Sequence, residues 1–207
     1  MEDNWLAHAK RLQALASSGM GFTHDEYDKE RYEEISDIAN RMMAEIGQVP
    51  IARIETLVSP FAEGYATPKI DVRAAIFQEG KVLLVKEKTD GLWTMPGGYA
   101  DVGLSAMENV EKEVLEEANL KVRASHIISV RHKAKGGYAQ DVRDFYKIFF
   151  LCDLLESAEP QAGMETEDAG YFDLADIPAL SKGRIIEEDI HHAWRFFQSD
   201  DKVTFFD

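Results

Sequence analysis

One stretch, residues 91 to 120, constrains this chain more than any other: GLWTMPGGYADVGLSAMENVEKEVLEEANL. A glycine-rich turn, Met95-Pro96-Gly97-Gly98, leads through an irregular loop into a helix loaded with glutamates. Ser105 is suited to cap that helix, with Glu108 three residues on to close a capping box. At 3.6 residues per turn, Glu113, Glu116 and Glu117 share one sector of it. Met107, Val110, Val114 and Ala118 form the neighbouring apolar stripe, suited to packing on a sheet. The carboxylates therefore sit at the edge of a buried face.

Like charges at these spacings repel by about 0.2–0.5 kcal/mol per pair. A solvated face, with Lys112 pairing to Glu108 and Glu116, is the plain reading of such a helix. A hard cation held by oxygen ligands is the other reading, and magnesium shared with a substrate phosphate is a natural occupant. The Gly-Gly turn favours the cation, because bare backbone there approaches a metal or phosphate closely.

The segment resembles the Nudix signature, G-x5-E-x7-R-E-U-x-E-E-x-G-U, in which U is a bulky aliphatic residue. With Gly98 first, Glu113, Val114, Glu116, Glu117 and Leu120 fill their positions, whereas Leu104, Lys112 and Asn119 replace a glutamate, an arginine and a glycine. Asp101 stands near enough in sequence to supply the missing acid. Asn119 is suited to the left-handed conformation that a helix end requires.

The resemblance implies an α/β fold, the Nudix α/β/α sandwich with a mixed sheet, preceded by a small helical domain. The expected division is a helical domain over 1–47, a linker over 48–68 and a catalytic domain over 69–207. It further implies that Gly97, Glu113, Glu116 and Glu117 hold Mg2+ or Mn2+. The implied reaction is hydrolysis of a nucleoside diphosphate linked to a second group, of ADP-ribose or CDP-choline type. Two rivals stand beside it: a nucleotide-sensing module that has lost turnover, and a hydrolase of nucleoside triphosphates or RNA ends.

Composition agrees with a metal-assisted reaction. The net charge of -15 disfavours stable binding of nucleic acid, which needs a positive footprint. An acidic protein acts on polyanions through bound cations, which invert the local field. No apolar run reaches about 18 residues, and the first residues carry no basic-then-apolar signal, so a cytoplasmic protein without a membrane span is expected. The single cysteine, Cys152, lies in the apolar run Phe149 to Cys152 and reads as core.

Along the chain, residues 3 to 18 read as an amphipathic helix broken at Gly19-Met20-Gly21. A second helix runs from a cap at Thr23 to Asp25 as far as Ile46. An arm of two helices with an exposed stripe seeks cover, so a homodimer is expected. Lys69 to Phe77 and Lys81 to Lys86 read as a hairpin turning at Gln78-Glu79-Gly80. Arg73 on its first strand requires either a substrate phosphate or an internal carboxylate. The basic run from Arg131 to Gly137 reads as a solvated loop, with Arg131 a candidate contact for the leaving half of a substrate. Gly98 is a candidate for the phosphate side. The segment from Met164 to Pro178 resembles the acidic Nudix loop that supplies a catalytic base. Glu165 is preferred there over Glu167 and Asp168, so the catalytic candidates are Glu116, Glu117 and Glu165.

Overall fold

A computed structural model describes residues 2–58 and 65–207 of the chain. It forms two compact units, Met1–Lys69 with Gln140–Asp144, and Ile70–Ala139 with Phe145–Asp207.

In the first unit, α1 spans Asn4–Phe22, α2 Glu26–Gly47 and α3 Ile51–Val58. The carboxylate of Asp3 caps α1 by accepting from the Trp5 and Leu6 amides, and Asp25 caps α2 in the same way through Tyr27 and Asp28. Leu6, Ala9, Met43, Ala44, Ile54 and Val58 make its core. Two expectations need correction. α1 does not stop at residue 18 but continues through both glycines to Phe22. A side chain at Gly19 would meet the Tyr32 ring at 2.4 Å, so close helix contact offsets a propensity cost of about 1 kcal/mol per glycine. Part of the stretch read as linker is helical, because Ile54 and Val58 bury themselves one turn apart. Pro60 and Gly64 of that stretch lie outside the described residues.

The second unit contains β1 (Lys69–Ala75, its first residue in the other unit), β2 (Phe77–Gln78), β3 (Lys81–Glu87), β4 (Trp93–Thr94), α4 (Ala106–Ala118), β5 (Val122–His132), β6 (Phe145–Leu154), β7 (Thr166–Asp173), α5 (Glu187–Gln198) and β8 (Phe205–Phe206). One sheet has the order β1-β6-β5-β8, and the other joins β2, β3 and β4, with β7 also on β3. β8 runs parallel to β5 whereas β5 and β6 are antiparallel, so the first sheet is mixed as expected, and β3 pairs antiparallel with β2, β4 and β7 in the other.

Strand side chains alternate between faces. Leu83 and Val85 of β3, with Phe150 and Cys152 of β6, join Val110, Val114 and Ala118 of α4 in one core. Val82 and Leu84, with Phe149 and Leu151, join Ile190, Ala193 and Phe196 of α5 in the other. Buried on both faces, these strands send alternate side chains to the two cores and so build the α/β/α sandwich. Glu79 and Gly80 both have positive φ, which gives the β2–β3 turn the twist its strands need.

The run beginning at Arg131 is also not a free loop. Arg131 and His132 belong to β5, and the side chains of Arg131 and Lys133 are buried against the rings of Phe205 and Phe145.

Candidate active site

The glutamate helix forms as its sequence dictates. Ser105 Oγ accepts from the Glu108 amide and Glu108 Oε2 accepts from the Ser105 amide, closing the capping box. At the far end Asn119 takes the left-handed conformation at φ 54°. Asn109, buried inside this helix, accepts from the Asp101 amide at 2.8 Å and steadies the irregular loop before it.

The glycine turn lies along β1. Ala74 donates its amide to the Pro96 carbonyl at 2.8 Å and Val72 to the Gly98 carbonyl at 2.9 Å, leaving the Gly97 carbonyl outside that ladder. The Gly97 amide instead donates to Glu117 Oε2 at 2.8 Å. Gly97 has φ +142°, and a Cβ there would lie 2.0 Å from the Val72 carbonyl, so only glycine fits. A Cβ on Gly98 would lie 2.7 Å from Glu113 Oε1. The turn is bare where these two carboxylates meet it.

Burial dominates the electrostatics. It pushes the Glu117 carboxyl up to about 8, with Glu113 and Glu87 adding repulsion, against the pull of Arg73 and the Gly97 amide. Glu113 is raised by burial, with Glu116 and Glu165 adding to it. Glu87, at the end of β3, is raised by burial and by Asp90 and Glu165, against Arg184 at 2.9 Å. Glu87, Glu113, Glu117 and Glu165 thus press on one another around the turn.

The third signature glutamate stands apart. Glu116 is exposed and pairs with Lys112 at 2.8 Å, and Lys112 also reaches Asp101 at 3.3 Å. Among the described residues, no three acidic, histidine or cysteine groups converge closely enough to enclose a metal ion. The donor chemistry nevertheless suits a divalent cation. Glu113 and Glu117 are hard oxygen donors, partly stripped of water and mutually repelling, and their nearest guanidinium is already committed elsewhere.

That guanidinium is Arg73. Of its two expected partners, the internal carboxylate is the one found. Nε and Nη2 donate to Asp71 at 3.0 and 2.9 Å, and Nη1 donates to the Met95 carbonyl at 3.1 Å. Lys147 Nζ shares Asp71 at 2.7 Å, and burial holds this amine down at about 8. Arg131 is likewise inward, with Nε 3.4 Å from Asp189, Nη1 3.5 Å from Glu188 and its guanidinium 5.0 Å from the Phe205 ring. Tyr138 is buried and donates to Asp189 at 2.7 Å. Tyr99 stacks on Phe145, and Tyr65 packs edge-on to Phe22.

The three acidic candidates near β7 also separate. Glu167 pairs with Lys86 at 3.0 Å, and Asp168 Oδ1 accepts from the Ala169 amide. Glu165 is exposed, and its charge is felt by both Glu113 and Glu87. Sequence reasoning missed Glu87 and Arg184. Glu87 sits in the charged run Lys86-Glu87-Lys88 and carries no local sign of burial.

Residues 3–58 match a family described as a UDP-X-like, N-terminal oligomerisation domain, and residues 67–193 match the NUDIX domain. A Bacillus subtilis strain 168 protein, YjhB, provisionally named as an ADP-ribose pyrophosphatase, is 37% identical over 207 residues, all of this chain and 99% of that one. The crystal structure of an ADP-ribose pyrophosphatase from Streptococcus suis 89-1591 covers 68% of this chain and 100% of its own, at 44% identity and a TM-score of 0.62. That of a UDP-X diphosphatase covers 99% of this chain and 98% of its own, at 29% identity and a TM-score of 0.63. A glycine turn set against two desolvated signature glutamates therefore sits within a recognised scaffold, and the chain belongs to the Nudix hydrolase family.

Proposed function

We propose that this protein hydrolyses the diphosphate bridge of a nucleoside diphosphate linked to a second group, releasing a nucleoside monophosphate and the phosphorylated second group. ADP-ribose is the leading substrate, with UDP-linked and CDP-choline-type compounds next. Support comes from the whole-length likeness to YjhB and to the UDP-X diphosphatase. The observation that carries the reading is the Glu113–Glu117 pair at the Gly97-Gly98 turn, two crowded carboxylates raised by burial and by neighbouring carboxylates.

Glu113, Glu117 and the Gly97 carbonyl would hold Mg2+ or Mn2+, joined by Glu116 once it exchanges Lys112 for the ion. Divalent ions supply charge neutralisation of the diphosphate and acidify a water molecule. Glu165 acts as the general base and takes a proton from the attacking water as the water oxygen bonds to phosphorus. The bridging P–O bond breaks, and the leaving oxygen departs with the electron pair. The Gly98 backbone faces the phosphates. Arg73 and Arg131, bonded inward, are assigned to the framework instead of the substrate, and Arg73 steadies the charge of Glu117.

Trp5, Phe22, Tyr27 and Ile38 of the first unit are exposed apolar side chains, which supports homodimer formation through α1 and α2. Among the described residues no helix is long and apolar enough to cross a membrane, in keeping with the cytoplasmic location we propose.

The test is incubation of the pure protein with magnesium and a panel of ADP-ribose, UDP-sugars, CDP-choline and nucleoside triphosphates, with products resolved by chromatography. Release of AMP and ribose 5-phosphate from ADP-ribose is expected. The Lys112–Glu116 pair favours a second reading, a sensor that binds without turnover. Tight binding of ADP-ribose with no product from any compound would establish that reading instead.

A further inference from the structure

The last carbonyls of a helix have no partners within it and must find them elsewhere. At the end of α4 a short clasp supplies them. The Gln161 amide donates to the Ala118 carbonyl at 3.0 Å, and the Gly163 amide donates to the Glu117 carbonyl at 3.2 Å. Thr166 Oγ1 donates to that same Glu117 carbonyl at 2.8 Å and accepts from the Gly163 amide at 2.8 Å. Thr166 is buried, with 1% of its surface exposed. Gly163 presses so closely on the helix that a Cβ there would lie 1.7 Å from the Glu116 carbonyl and 3.2 Å from Glu117 Cα.

Glu165 is carried between these two anchors. On its other side Lys88 Nζ donates to the Met164 carbonyl, and the Lys88 amide donates to the Glu165 carbonyl at 3.4 Å. The segment bearing Glu165 is therefore fastened to the peptide that bears Glu116 and Glu117, and to the chain just past β3. The Thr166 hydroxyl is not needed merely to satisfy the Glu117 carbonyl, because the Gly163 amide already does so. A valine would suit the first position of β7 equally well. What the hydroxyl adds is a second bond to one oxygen, which sets the spacing of two segments.

We propose that Thr166 is a positioning residue for hydrolysis: its hydroxyl holds Glu165 in register with the glutamates of α4. This rests on the reading of Glu165 as the base, and it assigns Thr166 no contact with substrate.

The test is a double-mutant cycle with T166V, E165Q and the double variant, joined by T166S, using magnesium and the panel compound turned over fastest. T166V should lower kcat by roughly 10- to 100-fold with KM within about twofold, because small misplacements of a reacting group cost rate more than binding. T166S should recover most of the loss. In the E165Q background, T166V should lower kcat no further. Hydrogen exchange at the Gly163 amide should be faster in T166V and slow again in T166S. A T166V enzyme with kcat within twofold of the parent overturns the proposal, as does an equal loss in both backgrounds. If E165Q itself matches the parent, the base assignment falls and the inference falls with it. An impaired E165Q with an undiminished T166V loss sinks the inference alone. Should T166V not fold, T166A removes the same hydroxyl without steric demand and is read by the same criteria.

Discussion

The amide of Gly97 donates to Glu117 Oε2 at 2.8 Å, across a gap in which no side chain larger than hydrogen fits on the glycine. This contact joins the two halves of the signature: a turn that must be bare and a carboxylate that must reach it. It also explains an instability built into the site. The Glu117 carboxylate receives one backbone donor, which falls short of compensating its burial.

Stability without metal should therefore fall as pH rises. The Glu117 carboxyl loses its proton near 4.5 in the unfolded chain and near about 8 in the folded one. Between those values unfolding releases a proton. The stabilising contribution is complete below about pH 4.5 and is lost as pH climbs through about 8. Glu113 and Glu87, also raised, act in the same direction. Urea unfolding of the chelator-treated protein should therefore show lower stability at pH 8.5 than at pH 5, by on the order of a few kcal/mol. Glu117→Gln should flatten the difference while lowering kcat by about 1,000-fold or more. A parent-like pH slope in that variant would remove Glu117 as its source.

Metal binding should expel protons. Ligand carboxylates bind as anions, and burial favours the protonated form of Glu117 in the folded protein without metal. Calorimetric titration with Mg2+ at pH 7 in two buffers of different ionisation heat should show about one proton released per site. Equal heats in both buffers would mean that the carboxylates are already ionised.

Lys112 should act as a stopper on the site. Its ion pairs with Glu116 and Asp101 are exposed, at 2.8 and 3.3 Å. Lys112→Ala should cost under about 1 kcal/mol of stability. Because it frees Glu116, it should also tighten Mg2+ binding several-fold in the same calorimetric assay. Weakened binding would show instead that the amine orients Glu116 for the ion.

Asp71 should matter more to stability than its distance from the chemistry suggests. It neutralises two buried cations, Arg73 at 2.9 Å and Lys147 at 2.7 Å. Asp71→Asn leaves both short of a counter-charge, and about 3–5 kcal/mol of stability should be lost. Combining it with Lys147→Met should recover part of that loss, as measured by urea unfolding. Additive losses would mean that the two residues do not share one network.

Features that depend on near neighbours follow from the residues alone. The capping box of Ser105 and Glu108, the left-handed Asn119, the apolar stripe of α4 and the apolar run of β3 are all settled within a few residues, where backbone geometry and period act directly. The turn and helix that carry the candidate site were legible for the same reason. Which way the charged side chains face depends on long-range packing. Glu113 and Glu117 turn to the glycines while Glu116 turns to Lys112, although all three share one helix sector. Arg73 finds Asp71, Glu87 joins the carboxylates from another strand, and Thr166 clasps a carbonyl 49 residues away. Such choices turn on desolvation and on partners brought together by packing, and neither is written in the spacing of residues along the chain.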